Sequence, residues 1–176
     1  MTAEEVYESV TNGGASDFAA AVEIFERFGP WCLIGGLAVN CYVEPVYTVD
    51  ADFVIVSDSL EVVQSALIDA GFSLQTFAHS VNAKRRESKL SLQLTTDPRY
   101  QDFPPRAERR EVLGQMVPVA ALADVIQGKV WAWEDRSRRL MKRKKDELDL
   151  LRLAEAHPHL AASMPEEIVR QLEGDS

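Results

Sequence analysis

One stretch constrains this chain more than any other. Residues 49–56, VDADFVIV, alternate as a half-buried strand does. Successive side chains on a strand point to opposite faces, so Val49, Ala51, Phe53 and Ile55 share one face. Asp50, Asp52, Val54 and Val56 share the other. Two carboxylates therefore project together from a strand that is otherwise apolar. A buried carboxylate is costly unless it stands against a metal or a cation. The fold must either bring such a partner to Asp50 and Asp52 or leave both in solvent.

The flanking sequence predicts a small mixed sheet with helices packed on it. Ala20, Ala21, Ile24, Phe25 and Phe28 have helical spacing, which predicts a helix over 16–28 with Ser16 as N-cap. Gly29-Pro30 stops it. Residues 31–34 are a short apolar strand, broken by Gly35-Gly36, and 37–43 form a short helix that ends before Pro45. Ser57 caps a helix over 59–70, which Gly71 closes. Strands follow at 72–78 and 89–95, joined by a basic connection containing Lys84, Arg85 and Arg86. A loop over 97–110 leads to a strand pair at 111–119 around Gly114. Helices fill 119–133, 136–156 and 165–172. This order predicts an α+β chain with α/β character. Residues 1–118 form the core and residues 119–176 a helical region packed on it as one compact unit.

The formal net charge of −9 argues against a general polyanion binder. The charge is uneven, however. Arg136, Arg138, Arg139, Lys142, Arg143, Lys144 and Lys145 crowd one segment, which reads as a solvated helix face or as a landing strip for RNA or nucleotide phosphates. Cys32 and Cys41 form no C-x-x-C pair, so a disulfide framework is not expected. The N-terminus MTAEEVYESV lacks the apolar core of a signal peptide. No apolar run approaches the roughly 20 residues that cross a bilayer. A cytoplasmic protein is expected. His79, His157 and His159 lack zinc-site partners, no Ser/His/Asp or Cys/His constellation is evident, and no Gly-Lys-Ser/Thr follows Gly35-Gly36.

A strand that ends in Gly-Gly and turns into a helix lets a phosphate approach backbone N–H groups. Carboxylates two apart on a strand can share one or two Mg²⁺ ions, which prefer a few carboxylates together with the substrate's own phosphates. Metals so placed clamp the attacking and leaving oxygens of a phosphoryl-type transfer. A plain turn and a solvated acidic face account for the same residues, and in that case the chain is an interaction module without a nucleotide.

The stretch GGLAVNCYVEPVYTVDADFVI resembles the core motif of the nucleotidyltransferase superfamily. More closely, the chain resembles the AbiEii/MenT-like bacterial nucleotidyltransferases, the toxins of toxin–antitoxin systems. Lys129 in GKVWAWEDR and the run Lys145-Asp146-Glu147-Leu148-Asp149-Leu150 match that group's later lysine and Lys-Asp-x-x-Asp-Leu signature. The resemblance covers residues 31–153. It implies that Gly35 and Gly36 hold nucleotide phosphates, that Asp50 and Asp52 bind Mg²⁺, that Lys129 meets the triphosphate, and that Asp146 orients the site. Arg143 and Lys145 would reach the nucleotide. Trp31, Trp131 and Trp133 read as core or interface residues, and Trp131 or Trp133 is the first candidate if a base stacks on an aromatic ring. The implied activity moves an NMP from an NTP to a hydroxyl on a tRNA 3′ end or a protein side chain, with a cognate antitoxin as partner. One departure matters. Relatives often carry a third carboxylate on the strand after the D-x-D strand, and the matching position here is Gln93. Asp97 is the replacement in prospect, ahead of Glu87. Without a replacement the chain is a degenerate relative that binds nucleotide or a protein partner and transfers nothing.

Overall fold

The computed structural model describes residues 1–174. The chain begins with a helix, α1 (Ala3–Thr11), ahead of the first expected element. Its signal was local: Thr2 and Glu5 form a reciprocal capping box. Helix α2 (Gly14–Arg27) starts two residues before the expected cap. Ser16 lies inside it, where its backbone N–H donates to Glu8.

Strand β1 (Trp31–Ile34) runs straight into helix α3 (Gly35–Val39), so the Gly-Gly pair opens the helix rather than preceding it. Strand β2 (Asp50–Ile55) carries the two carboxylates. A single helical turn at Ser57–Ser59 leads into α4 (Leu60–Asp69), and Ser57 makes no side-chain cap. Then come β3 (Ser73–Thr76), β4 (Ser80–Lys84) and β5 (Ser91–Thr95). The expected basic connection is thus partly strand. Arg85 has a packing role there: its guanidinium lies over Phe72 at 4.5 Å and pairs with buried Asp17 at 2.9 Å. Strands β6 (Glu108–Val112) and β7 (Gln115–Val119) form the expected hairpin. Leu113 and Gly114 have φ of 48° and 77°, as a two-residue turn with a right-handed strand twist requires.

The seven strands form one mixed sheet in the order β3-β4-β5-β2-β1-β7-β6. Strand β2 is central, antiparallel to β1 and parallel to β5. Its two faces do different work. Phe53 packs against Phe25, Phe18 and Trp31, with ring centroids 4.9 to 5.9 Å apart, and builds the core under α2. Asp50 and Asp52 face the other way. That face is roofed by α5 (Leu122–Glu134) and α6 (Leu140–Ala156), which pack on each other and on α3. Helix α6 starts four residues later than expected, leaving Arg136, Arg138 and Arg139 in the connection. Arg152 donates to Asn40 at 3.3 Å, and His157 meets the Tyr42 carbonyl at 2.8 Å, which ties α6 to the α3 segment. Helix α7 (Glu166–Glu173) closes the fold, and the last residues of the expected 119–176 region lie outside the described ones. No helix among the described residues is long and apolar enough to cross a membrane.

Candidate active site

The roofed face of the sheet holds a cleft with two connected lobes. The wide lobe encloses about 320 Å³ and is lined by Gly35, Asp52, Gln93, Asp97, Lys129 and Trp131, among others. The narrow lobe, about 60 Å³, is lined by Gly36, Thr48, Asp50, Lys142, Lys145 and Asp149. Asp52, Gln93, Lys129, Arg138 and Asp146 border both.

Gly35 is fixed by Asp52. Ile34 is the register partner of Asp52 across β1 and β2, so the next residue lies directly over the carboxylate. Gly35 has φ of 70°, and a Cβ there would lie 2.8 Å from Asp52 Cγ. A larger residue fits only by displacing that carboxylate. Gly36 is under less pressure: a Cβ there would meet Thr48 at 3.5 Å or more, an ordinary contact.

Asp50 and Asp52 side chains accept no hydrogen bond and join no ion pair among the described residues. Burial pushes the Asp52 carboxyl up to about 6; Lys129 pulls it down and Asp50 adds to the rise. A half-buried acid pair of this kind suits a cation brought from outside. No cluster of three or more His, Cys, Asp or Glu suited to a metal occurs among the described residues. Two carboxylates alone still fit Mg²⁺, which takes the rest of its oxygens from water and phosphate.

Gln93 stands where the third acid was expected. It is the register partner of Asp52 on β5 and of Asn82 on β4, so Asp52, Gln93 and Asn82 form one lateral row on the cleft face. Asp97 lies in the same wide lobe but is already engaged. Arg99 binds it through Nε and Nη2 at 2.9 to 3.2 Å, and these bonds hold its carboxyl below the usual carboxylate range. Glu87 is exposed in a turn beside Asn12, and it lines neither lobe.

The roof supplies paired cations. Lys129 Nζ lies 2.9 Å from Asp146 and 2.7 Å from Asp149. Burial works against its charge, but the two carboxylates outweigh it and raise its proton affinity. Arg138 holds the other oxygen of Asp146 at 2.9 Å. Asp149 also pairs with Arg152 at 2.7 Å. Lys145, Asp146 and Asp149 meet the cleft together, since Asp149 lies three and four residues beyond the other two and so shares a helix face with each. Lys142 and Lys145 face the narrow lobe without an ion pair among the described residues. Arg143, expected at the nucleotide, turns away and donates to the Trp133 carbonyl at 3.2 Å. Trp133 also leaves the cleft, its indole N–H donating to Glu147 at 3.0 Å. Arg138 and Lys142 line the cleft as members of the basic stretch expected to meet RNA or nucleotide phosphates, and Asp149 joins them from the Lys-Asp-x-x-Asp-Leu signature.

No protein-family model and no curated protein matches the chain. Solved structures do. The antibiotic-resistance factor ANT(2″)-Ia in complex with adenylyl-2″-tobramycin aligns with 92% of this chain and 97% of its own, at a TM-score of 0.58 and 14% identity. The lincomycin-bound lincosamide antibiotic adenylyltransferase LnuA aligns with 80% of this chain and 96% of its own, at 0.56 and 12%. An antigenic nucleotidyltransferase-like protein from Paracoccidioides brasiliensis aligns with 82% and 77%, at 0.51 and 16%. The chain has the nucleotidyltransferase fold, and the cleft described above lies on the sheet face that carries its D-x-D strand.

Proposed function

We propose that this protein is a Mg²⁺-dependent nucleotidyltransferase that moves an NMP from an NTP to a hydroxyl acceptor. One observation carries the reading. Asp50 and Asp52 stand side by side on the cleft face without a protein partner, and the backbone gives up a side chain at Gly35 to make room for one of them. Such an arrangement is costly unless a cation and phosphates complete it.

Asp50 and Asp52 are the residues that would hold Mg²⁺, which supplies charge compensation for the phosphate oxygens. Gly35 and Gly36 give the phosphates a close backbone approach. Lys142 and Lys145 offer cations to the narrow lobe, and Arg138 and Lys129 stand at the junction of the lobes. The acceptor oxygen attacks the α-phosphorus, the bond to the β-bridging oxygen breaks, and pyrophosphate leaves. The hydroxyl proton passes to a base. The Gln93 amide cannot take it; Asp97 lines the wide lobe and is the expected replacement, although Arg99 already binds it.

By resemblance, the acceptor is a tRNA 3′ end or a protein side chain, and the protein is a toxin with a cognate antitoxin. The antibiotic ligands named for the structural neighbours add a small-molecule hydroxyl to the acceptors worth testing. Incubation with each α-labelled NTP, Mg²⁺ and total bacterial RNA or protein tests the reading, with Asp50→Asn/Asp52→Asn as control. Label in an acceptor, lost in the double variant, is expected. Transfer at the wild-type rate by the double variant would sink it.

Gln93 favours a second reading, a chain that binds nucleotide or a partner protein without transfer. Its signature is Mg²⁺-dependent NTP binding with no pyrophosphate release.

A further inference from the structure

The wide lobe has a wall that phosphate chemistry does not need. Phe103 stacks on Trp131 with centroids 5.9 Å apart and planes 12° from parallel. Tyr100 meets the indole edge-on at 5.1 Å. The Arg99 guanidinium lies over the Trp131 ring at 5.1 Å. Arg99 is also held flat: its Nε and Nη2 bond Asp97, and its own backbone N–H donates to the same carboxylate at 2.9 Å. Its side chain is 55% exposed, so one surface of a fixed planar cation faces the lobe. Asp52 and Gly35 line the same lobe.

The charges along this wall are already matched. Asp97 is paired with Arg99, Asp124 with Arg106, and Asp146 with Lys129 and Arg138. Asp135 accepts from Ser137. Apart from Asp52, every carboxylate lining the lobe has a partner. A polycationic acceptor finds little to pair with there. A neutral planar ring finds a rigid stacking platform, since a guanidinium stacks on π-systems and this one loses little freedom by doing so. With phosphates at Asp50, Asp52, Lys142 and Lys145, the rest of a nucleotide has the wide lobe ahead of it.

We infer that Arg99, backed by Trp131, is the platform on which the nucleobase of the NTP stacks, and that Asp97 is the positioning residue that holds Arg99. This inference rests on the proposed nucleotide site. It also gives Asp97 a role other than that of a base.

Calorimetric titration of the full chain with Mg²⁺-ATP and with Mg²⁺-tripolyphosphate tests it, for wild type, Arg99→Ala and Trp131→Leu. Stacking on this scale makes ATP bind roughly tenfold or more tightly than tripolyphosphate. Both variants are expected to lose most of that margin and to leave tripolyphosphate affinity unchanged. Arg99 is exposed, so Arg99→Ala reads the effect even where Trp131→Leu harms folding. Asp97→Asn, which loosens Arg99, should give a smaller loss of the same kind. ATP binding that ignores Arg99→Ala overturns the inference and leaves the nucleotide site standing. Equal affinity of wild type for ATP and tripolyphosphate does the same. Failure of both ligands to bind overturns the inference together with the proposed function.

Discussion

Replacing Gly35 by alanine is the sharpest test of how backbone and chemistry are joined here. The added methyl lands 2.8 Å from Asp52 Cγ. Carbon atoms settle about 3.5 to 4.0 Å apart, so one of the two must move by roughly 1 Å. The φ of 70° adds to this, since an L-residue in the left-handed region costs about 1–2 kcal/mol. The backbone of β1 is locked between β2 and β7, so the carboxylate is the part that yields. A 1 Å misplacement of a reacting group costs on the order of 10²-fold in rate. Gly35→Ala is therefore expected to lower stability by about 1–3 kcal/mol in urea denaturation and transfer by about 10²-fold. Gly36→Ala is the control. It is not in the left-handed region, and its methyl meets Thr48 at an ordinary 3.5 Å. It should change stability by less than about 0.5 kcal/mol. A Gly35→Ala protein with wild-type Mg²⁺-dependent NTP binding and transfer would show that Asp52 is not part of the site.

Gln93→Glu places a carboxylate beside Asp52, and pyrophosphate release at saturating Mg²⁺ should rise; an unchanged or lower rate means that the missing acid does not limit this chain. Asp52→Asn bears on pH. Its folded carboxyl is raised to about 6, above the ordinary carboxylate value. The folded state thus holds the proton more tightly, and stability falls as pH rises from about 4 through 6. In metal-free protein the asparagine variant should melt higher than wild type at pH 7.5, and the gap should shrink at pH 5. An equal gap at both values refutes the burial argument. Asp149→Asn removes one of the two carboxylates that hold Lys129, and Lys129 then shifts toward Asp52. Mg²⁺ affinity by calorimetry should fall several-fold although Asp149 is not a metal candidate; unchanged affinity would show that Lys129 is fixed by other means.

The D-x-D strand was legible because period-two patterning and two isolated carboxylates leave few alternatives. The hairpin at Leu113-Gly114 was legible for a similar reason, since it is a short-range turn with a glycine where positive φ is needed. Strand β4 was not. Ser80–Lys84 gains its place by pairing with β3 and β5 on both sides, and its own residues carry little strand preference. In the site, same-strand and same-helix neighbours were readable: Asp50 with Asp52, and Lys145 with Asp146 and Asp149. Partnerships between distant segments were not. Nothing in Lys129 announces that two acids of α6 enclose it, and nothing in Asp97 announces that Arg99 occupies it.

The charge layout of the cleft follows from that pairing. Lys129 is the cation that most lowers Asp52, and a direct contact between them would leave Asp52 satisfied and no place for a metal. Asp146 and Asp149 prevent this by holding Lys129 Nζ at 2.9 and 2.7 Å on the roof side. The roof is thereby nearly neutral, and the floor keeps two carboxylates with no partner of their own. On the proposed function, that acidic floor would draw a divalent cation, and Lys142 and Lys145 at the narrow lobe would face the anion that comes with it. On the same proposal, a net charge of −9 is no bar to a metal–triphosphate. What decides binding is the field within the cleft, where, among the described residues, the unpaired carboxylates sit on β2 and the unpaired lysines on α6.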